Sequence, residues 1–432
     1  MRIFDTDVQK LKYDILREVA RYAYEDRLLD GLTEIPKIIA PGPKPTMRCC
    51  IYKERAIVSE RLKLAMGGDK DNPNTIEVIG IACDECPVST YQVTDACRGC
   101  LAHRCAAACP RGAISFDEHQ KAHIDPDKCI ECGACVYQCP FGAIQDKSFL
   151  LDAIHIIRDS ENNQKYKVYA VVAPSISSQF VYAKLGQVIM GLKQLGFFSV
   201  VEAALGADMV SYREARELAE KGFLTSSCCP AFVSYIEKSF PTLRPFVSHN
   251  LSPMAEVARF IKGTDPDAKI IFIGPCTAKK QEFQREEVRP WIDCVLTFEE
   301  LQAWFDSKDL DLPALDEDVL DNASYFGRIF ARSGGLTDAV KQALKEQGSD
   351  FIVNPIPCDG IEACRVALLK KQKNLLKENF IEGMACVGGC IGGAGCLTHG
   401  PKDKGEVDKY GHEAYEKTIT AALAQCAYDT EK

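Results

Sequence analysis

The sequence predicts an α/β protein: a large domain of alternating strands and helices, preceded by a small α+β domain and an N-terminal helical segment. Three observations predict it. Apolar residues recur at helical spacing near the N-terminus, cysteine crowds the stretch between Ile81 and Ala143, and beyond Lys147 strand-like apolar runs alternate with helical ones.

In segment 5–27, Val8, Leu11, Ile15, Val19 and Tyr22 fall three or four residues apart behind Asp5 or Thr6, either of which can cap a helix, so an amphipathic helix is expected. Pro41, Pro43 and Pro45 break the pattern, and a second helix is expected over 53–66, closed by Gly67 and Gly68. Residues 1–80 thus read as the helical segment, 81–147 as the cysteine-rich domain and 148–432 as the large domain. In the cysteine-rich domain, short apolar runs around Cys-Pro pairs suggest hairpins and turns, and a domain so small needs metal to hold it together. In the large domain, strands are expected over 167–172 and 268–273, with a helix over 181–195. Each strand runs directly into a motif: Ala173, Pro174 and Ser175 after the first, Gly274, Pro275 and Cys276 after the second. Ligands bind beyond such carboxyl ends in open α/β sheets. Residues 413–427 read as a single helix.

Composition bounds the function. With 46% hydrophobic and 26% charged residues the 432-residue chain is of the soluble globular kind. It has no run of about 18 uncharged apolar residues and no leader-like start, which predicts a cytoplasmic protein without a membrane partner. A net charge of -9 without clustered Lys or Arg argues against nucleic acid. The 22 cysteines, in a reducing compartment and at short spacings, point to metal or redox chemistry.

Cys129, Cys132, Cys135 and Cys139, followed by Pro140, match the bacterial ferredoxin pattern for 4Fe-4S clusters without deviation. Cys97, Cys100, Cys105 and Cys109, followed by Pro110, form a variant with four residues in the middle gap. In the ferredoxin arrangement three close thiolates bind one cubane while the Cys-Pro cysteine reaches the other. Cys97, Cys100, Cys105 and Cys139 would then hold one cluster, and Cys129, Cys132, Cys135 and Cys109 the second. Two zinc ribbons would instead show separated CxxC pairs with longer spacers. Cys49, Cys50, Cys83 and Cys86 could ligate a third 4Fe-4S cluster, although adjacent cysteines rarely both reach one cubane; buried thiols, or one of Cys49 and Cys50 used alone, are the alternative.

Three segments of the large domain stand apart: 225–232 with Cys228, Cys229 and Pro230; 274–282 with Pro275, Cys276 and Lys279; and 382–395 with Cys386, Cys390 and six glycines. Cys229, Cys276, Cys386 and Cys390 make a full cubane ligand set, and the glycines let backbone approach a bulky inorganic group. Together, behind the two ferredoxin motifs, these segments resemble the three signature motifs of FeFe-hydrogenases, and the resemblance covers about residues 81–400. It implies a catalytic domain of two sheet-containing lobes around an H-cluster, a cubane linked through Cys390 to a two-iron subcluster carrying CO, cyanide and azadithiolate. By the same resemblance Lys279 donates to one cyanide, Ser175 beside Pro174 serves the other, and Met254, Phe330 and Met384 line the cluster.

A non-ligand thiol can deliver protons as a general acid, and Cys228, beside Cys229, suits that role. The family position that it matches relays protons to the azadithiolate amine. Glu214 and Glu217, three apart on a helical stretch, share a face and match the family's relay glutamates, with Ser248 as the hydroxyl between them. The chain departs from the familiar pattern at Gly274, Met254, Ala394 and Phe232 and in the short segment between Glu217 and Cys228, features similar to the branch called group B. The implied reaction is 2H+ + 2e- = H2, with ferredoxin as electron partner and hydrogenase maturation proteins as assembly partners. Arg98, Arg104, Lys121 and Lys128 are candidates for a ferredoxin-facing basic patch. No GxGxxG follows a strand. A slow hydrogen sensor, or an iron-sulfur assembly or adaptor relative without enzymatic activity, are the competing readings. Cys294, Cys358, Cys364, Cys396 and Cys426 receive no role.

Overall fold

The computed structural model describes residues 4–47, 50–69, 74–79, 103–117, 120, 122–139, 143–400, 402–428 and 430. The chain divides into two compact units, one of residues 2–156 with 299–311, the other of residues 157–298 with 312–432.

In the smaller unit the helix Asp7–Tyr24 starts as expected: the Thr6 hydroxyl accepts from the Gln9 amide at 3.0 Å, and Ile15, Leu16 and Val19 are buried. A helix that the sequence did not suggest, Leu28–Ile39, follows at once. It has no side-chain cap and turns Leu29, Leu32 and Ile38 outward, although Leu28, Leu32, Ile35 and Ile39 recur at helical spacing. The next helix, Ile51–Ala65, is capped by the Cys50 thiol, which accepts from the Lys53 amide at 3.4 Å.

The cysteine-rich stretch is built from two similar halves. Short helices Arg104–Ala108 and Ala134–Gln138 lead to Cys109 and Cys139, whose sulfurs accept from the amides of Ala113 and Ala143 at 3.3 and 3.2 Å. Strand Ile114–Phe116 pairs antiparallel with Ala122–Ile124, and Ile76–Val78 pairs antiparallel with Ile144–Asp146. Ile57, Ile76, Ile79, Ile114 and Ile144 form the core between them, with Cys105 and Cys139 inside it. The same unit takes in most of the helix Phe298–Ser307. Its Trp304 indole donates to the Tyr24 hydroxyl at 2.7 Å, and Lys12 ties Asp146 to Glu299 at 2.7 and 2.6 Å.

The larger unit holds two parallel sheets, as the alternating pattern predicts. The first runs in the order Ser199–Glu202, Val168–Val172, Lys269–Gly274, Cys294–Thr297; the second runs Pro355–Asp359, Phe380–Met384, Leu224–Thr225. Their strands are mostly buried runs, as parallel sheets covered by helices require. The helix expected over 181–195 spans Leu185–Gln194. The long helix Ala203–Lys221 packs directly on Pro253–Thr264, where a side chain at Gly206 would come within 2.0 Å of the Pro253 carbonyl oxygen. The single helix expected over 413–427 is absent. One helix, Asp403–Glu413, ends there, and another, Ile419–Gln425, begins on a Thr418 cap while the Glu346 carboxylate accepts from the amides of Ile419 and Thr420. A tertiary carboxylate thus secures the start of a separate helix, which local periodicity does not reveal. Among the described residues no helix is long and apolar enough to cross a membrane.

Candidate functional site

Four strand ends, from both sheets of the larger unit, lead toward one buried cavity. Val172 passes into the turn Pro174–Ser178, Gly274 into Pro275 and Cys276, Thr225 toward Cys228 and Cys229, and Met384 toward Cys390. The cavity encloses about 90 Å³, room for a group of several atoms, since a single water needs only about 10–15 Å³. Cys228, Cys229, Cys276, Cys390 and Lys279 line it, and so do Pro174, Met254, Phe330 and Met384. Cys386 does not line it but sits four residues before Cys390, half-buried. Ser175 is fully buried nearby, and its hydroxyl meets no hydrogen-bond partner.

Burial, with the charges of Cys229 and Cys390, pushes the Cys276 thiol up to about 12, and burial with Cys229 does the same to Cys390. Such thiols resist ionisation unless something positive faces them, and coordination to iron supplies that. Lys279 is the one cation among the described residues lining the cavity. Burial opposes its charge, but Glu282, at 2.5 Å, outweighs this and raises the lysine pKa; the ammonium also donates to the Cys228 carbonyl at 3.3 Å. No three His, Cys, Asp or Glu among the described residues converge tightly enough for a single metal ion. A cubane, whose thiolates occupy separate corners, suits the wider set. The soft donors, the unpaired Ser175 hydroxyl and the cavity therefore fit an iron-sulfur group with small polar ligands.

The loop that carries Cys386 and Cys390 is held by backbone. Gly389 has φ +88°, and a side chain there would stand 2.6 Å from the Ser333 amide nitrogen. Ser333 donates to the Gly388 carbonyl at 3.1 Å, and Gly388 donates to the Asp359 carboxylate at 2.5 Å. Buried Glu382 accepts from the amides of Gly334 and Thr337 at 2.7 and 2.9 Å, which fixes the start of the helix Gly335–Glu346 behind Phe330.

A path of polar groups leads away from Cys228. Burial, the Glu214 charge and the neighbouring thiols drive the Cys228 thiol well above its ordinary value. Glu214 is fully buried on the helix Ala203–Lys221, and burial raises its pKa to about 8. The Ser248 hydroxyl and the Ser227 amide lie near enough to ease that shift, yet neither completes a hydrogen bond to its carboxylate. One turn on, Glu217 accepts from the Ser248 hydroxyl at 3.1 Å, from Asn250 Nδ2 at 3.0 Å and from Lys221 Nζ at 2.6 Å. Burial raises its pKa, and the Lys221 and His249 hydrogen bonds more than reverse this and lower it.

In the smaller unit Cys135 is pushed up by burial and by Cys132, Cys129, Cys109 and Cys105, and Cys129 by burial, Glu131, Cys132 and Cys109. Cys105 and Cys109 therefore both lie near cysteines of the other motif. Cys49, Cys83, Cys86, Cys97 and Cys100 lie outside the described residues, as do Arg98 and Lys121. Of the cysteines without a role, the Cys358 and Cys364 thiols are within hydrogen-bonding reach of one another, and Cys396 donates to the Ile391 carbonyl at 3.4 Å. Glu282, paired with Lys279, and Phe272, in the cavity wall, escaped sequence reasoning as site residues. Glu282 had a signal, three residues after Lys279 in one motif; Phe272 lies within an ordinary buried strand and had none.

The family described as iron only hydrogenase large subunit, C-terminal domain, matches residues 166–394. The chain belongs to the iron-only hydrogenase family. Ahead of that region a 4Fe-4S dicluster domain matches residues 96–143. This family member is 27% identical to iron hydrogenase 1 of Clostridium pasteurianum over 388 residues, 68% of each chain. It is 25% identical to the NADP-reducing hydrogenase subunit HndD of Solidesulfovibrio fructosivorans, covering 63% of this chain and 56% of that one. It is also 29% identical to a cytosolic Fe-S cluster assembly factor, NAR1 of Eremothecium gossypii, across 45% of this chain and 46% of the other. A solved variant of the FeFe-hydrogenase HydA1 from Chlamydomonas reinhardtii shares the fold, with a TM-score of 0.54 at 20% identity over 64% of this chain and 93% of that one.

Proposed function

We propose that the chain is an FeFe-hydrogenase that interconverts protons, electrons and H2. The observation that carries this reading is the cavity where three candidate ligand thiols meet two groups that no cubane needs, Cys228 and Lys279. Cys229, Cys276, Cys386 and Cys390 would hold the cubane of an H-cluster, with Cys390 shared with its two-iron part. When bound, that group supplies the redox site at which protons and H2 are interconverted. Lys279, oriented by Glu282, offers an N–H donor to a cyanide ligand, and Ser175 beside Pro174 offers its unpaired hydroxyl to another. Met254, Phe330 and Met384 exclude water. Cys228 holds a proton at its sulfur because burial keeps the thiol neutral. Glu214 is protonated at neutral pH and re-supplies it, drawing in turn on Ser248 and Glu217.

Cys97, Cys100, Cys105 and Cys139 would hold one accessory 4Fe-4S cluster and Cys129, Cys132, Cys135 and Cys109 a second, groups that would supply one-electron exchange with ferredoxin. Cys49, Cys50, Cys83 and Cys86 would hold a third. The Cys50 thiol already caps a helix and would leave that hydrogen bond to bind iron. The protein works in the cytoplasm and depends on maturation proteins, and its substitutions suit the group B branch. The match to an assembly factor favours one alternative, an iron-sulfur assembly role. Infrared spectroscopy after co-expression with maturation proteins decides between them. CO and cyanide bands together with H2 production are expected; loaded cubanes without either would leave the assembly role.

A further inference from the structure

We infer that His249 is the group through which the relay exchanges protons with bulk water, so that the path from the cavity ends in an imidazole rather than at Glu217. The inference rests on the hydrogenase reading above.

Glu217 is poorly placed to be the terminus. Its side chain is only 13% exposed, and both oxygens are occupied: Oε1 by Lys221 Nζ and His249 Nδ1, each at 2.6 Å, and Oε2 by Ser248 and Asn250. The His249 ring is 73% exposed and borders an open cavity shared with Ser248, Asn250 and the buried, unpaired Ser252 hydroxyl. Its Nδ1 faces inward to Glu217, which leaves Nε2 for water. The His249 amide also lies 3.2 Å from Glu217 Oε2, so the backbone fixes the ring beside the carboxylate.

The chemistry follows from the two nitrogens. An imidazole ordinarily titrates near neutral pH, whereas a carboxylate held ionised by several donors spends little time carrying a proton. Water delivers a proton to Nε2, and the Nδ1 proton moves to Glu217 Oε1 and onward to Ser248 and Glu214; H2 oxidation runs the same transfers outward. No electron moves in these steps. Lys221 Nζ stands 2.7 Å from Nδ1 and donates to that nitrogen once its proton has left, keeping the neutral ring in place. The charged groups that face the ring or its cavity are Glu217 and Lys221 on its helix side, with Glu237, Arg244, Glu282, Arg285 and Glu287 around the cavity, four acidic and three basic. Of the cavity's own charges only Glu282 is deeply buried, and it is paired with Lys279.

The test uses full-length, cluster-loaded protein. His249→Gln is expected to lower viologen-driven H2 evolution roughly tenfold or more, with added imidazole restoring a large part of it, and to flatten the pH profile near neutrality. Iron content and cubane EPR signals should stay unchanged. Independently of turnover, the histidine NMR signal missing from His249→Gln should titrate at lower pH in Glu217→Gln than in the parent, because the ring loses its anionic partner. Undiminished activity in His249→Gln, a loss that imidazole does not rescue, or a His249 titration indifferent to Glu217→Gln would overturn the inference. A parent protein without any H2 turnover or CO and cyanide bands would instead overturn the hydrogenase reading.

Discussion

Glu214 is where local chemistry and stability pull in opposite directions. Its carboxyl titrates near 8 in the fold against about 4.5 when exposed, so between those values the folded state keeps a proton that the unfolded chain releases. Stability falls as pH rises through that window, by up to about 3 kcal/mol at pH 7. Glu214→Gln is therefore expected to raise the melting temperature at pH 7 while reducing H2 evolution by more than roughly tenfold with clusters intact. In the parent, evolution should decline above about pH 8 as Glu214 ionises, which a rate-against-pH series would show. Cys228→Ala should keep its iron and lose most turnover, measured with reduced viologen; near-parental rates would mean protons use another route. Glu214 was legible because its spacing to Glu217 places both on one helix face. His249 was not, since a single exposed histidine acquires meaning only from the carboxylate folded against it.

At the level of elements, the strand Ser199–Glu202 is locked to the short helix Tyr325–Arg328 by a buried ion pair, and the helix Ala203–Lys221, which carries Glu214 and Glu217, starts directly after it. Arg328 grips Glu202 at 2.7 and 2.9 Å and Asp321 at 2.7 Å, and both Arg328 and Glu202 are 2% exposed. Arg328→Met is expected to cost about 3–5 kcal/mol by stranding a buried carboxylate, and Glu202→Gln added to it should recover much of the loss in denaturant titrations. The strands over 167–172 and 268–273 were readable as continuous apolar runs, as parallel strands buried on both faces are, whereas the strand Ser199–Glu202 was not named. The helix Leu28–Ile39 was missed although Leu28, Leu32, Ile35 and Ile39 recur at helical spacing, because it lacks a capping side chain; the break near 414–418 leaves no local signal, because Glu346 secures it through space.

For the molecule as a whole, Cys105 and Cys139 sit inside the isoleucine core of the smaller unit, so clusters bound there would be part of the packing that holds the cysteine-rich stretch together. Iron removal should therefore expose residues 103–147 to limited proteolysis well before the parallel sheets of the larger unit, as mass spectrometry of the fragments would show. Cys83→Ala should lower the iron content by about four atoms per chain if a third 4Fe-4S cluster exists, and leave it unchanged otherwise. What the sequence determined by itself was chemical identity: cysteine spacing encodes ligand sets locally, since consecutive thiols on one loop need no fold to be recognised as neighbours. Only the tertiary structure decided that Cys228 and Lys279 line one cavity with Glu282 paired to the lysine, and that Glu214 is unpaired while Glu217 is saturated. Burial and charge act through space, and residues far apart in the chain become partners only when two sheets bring their strand ends to the same cavity.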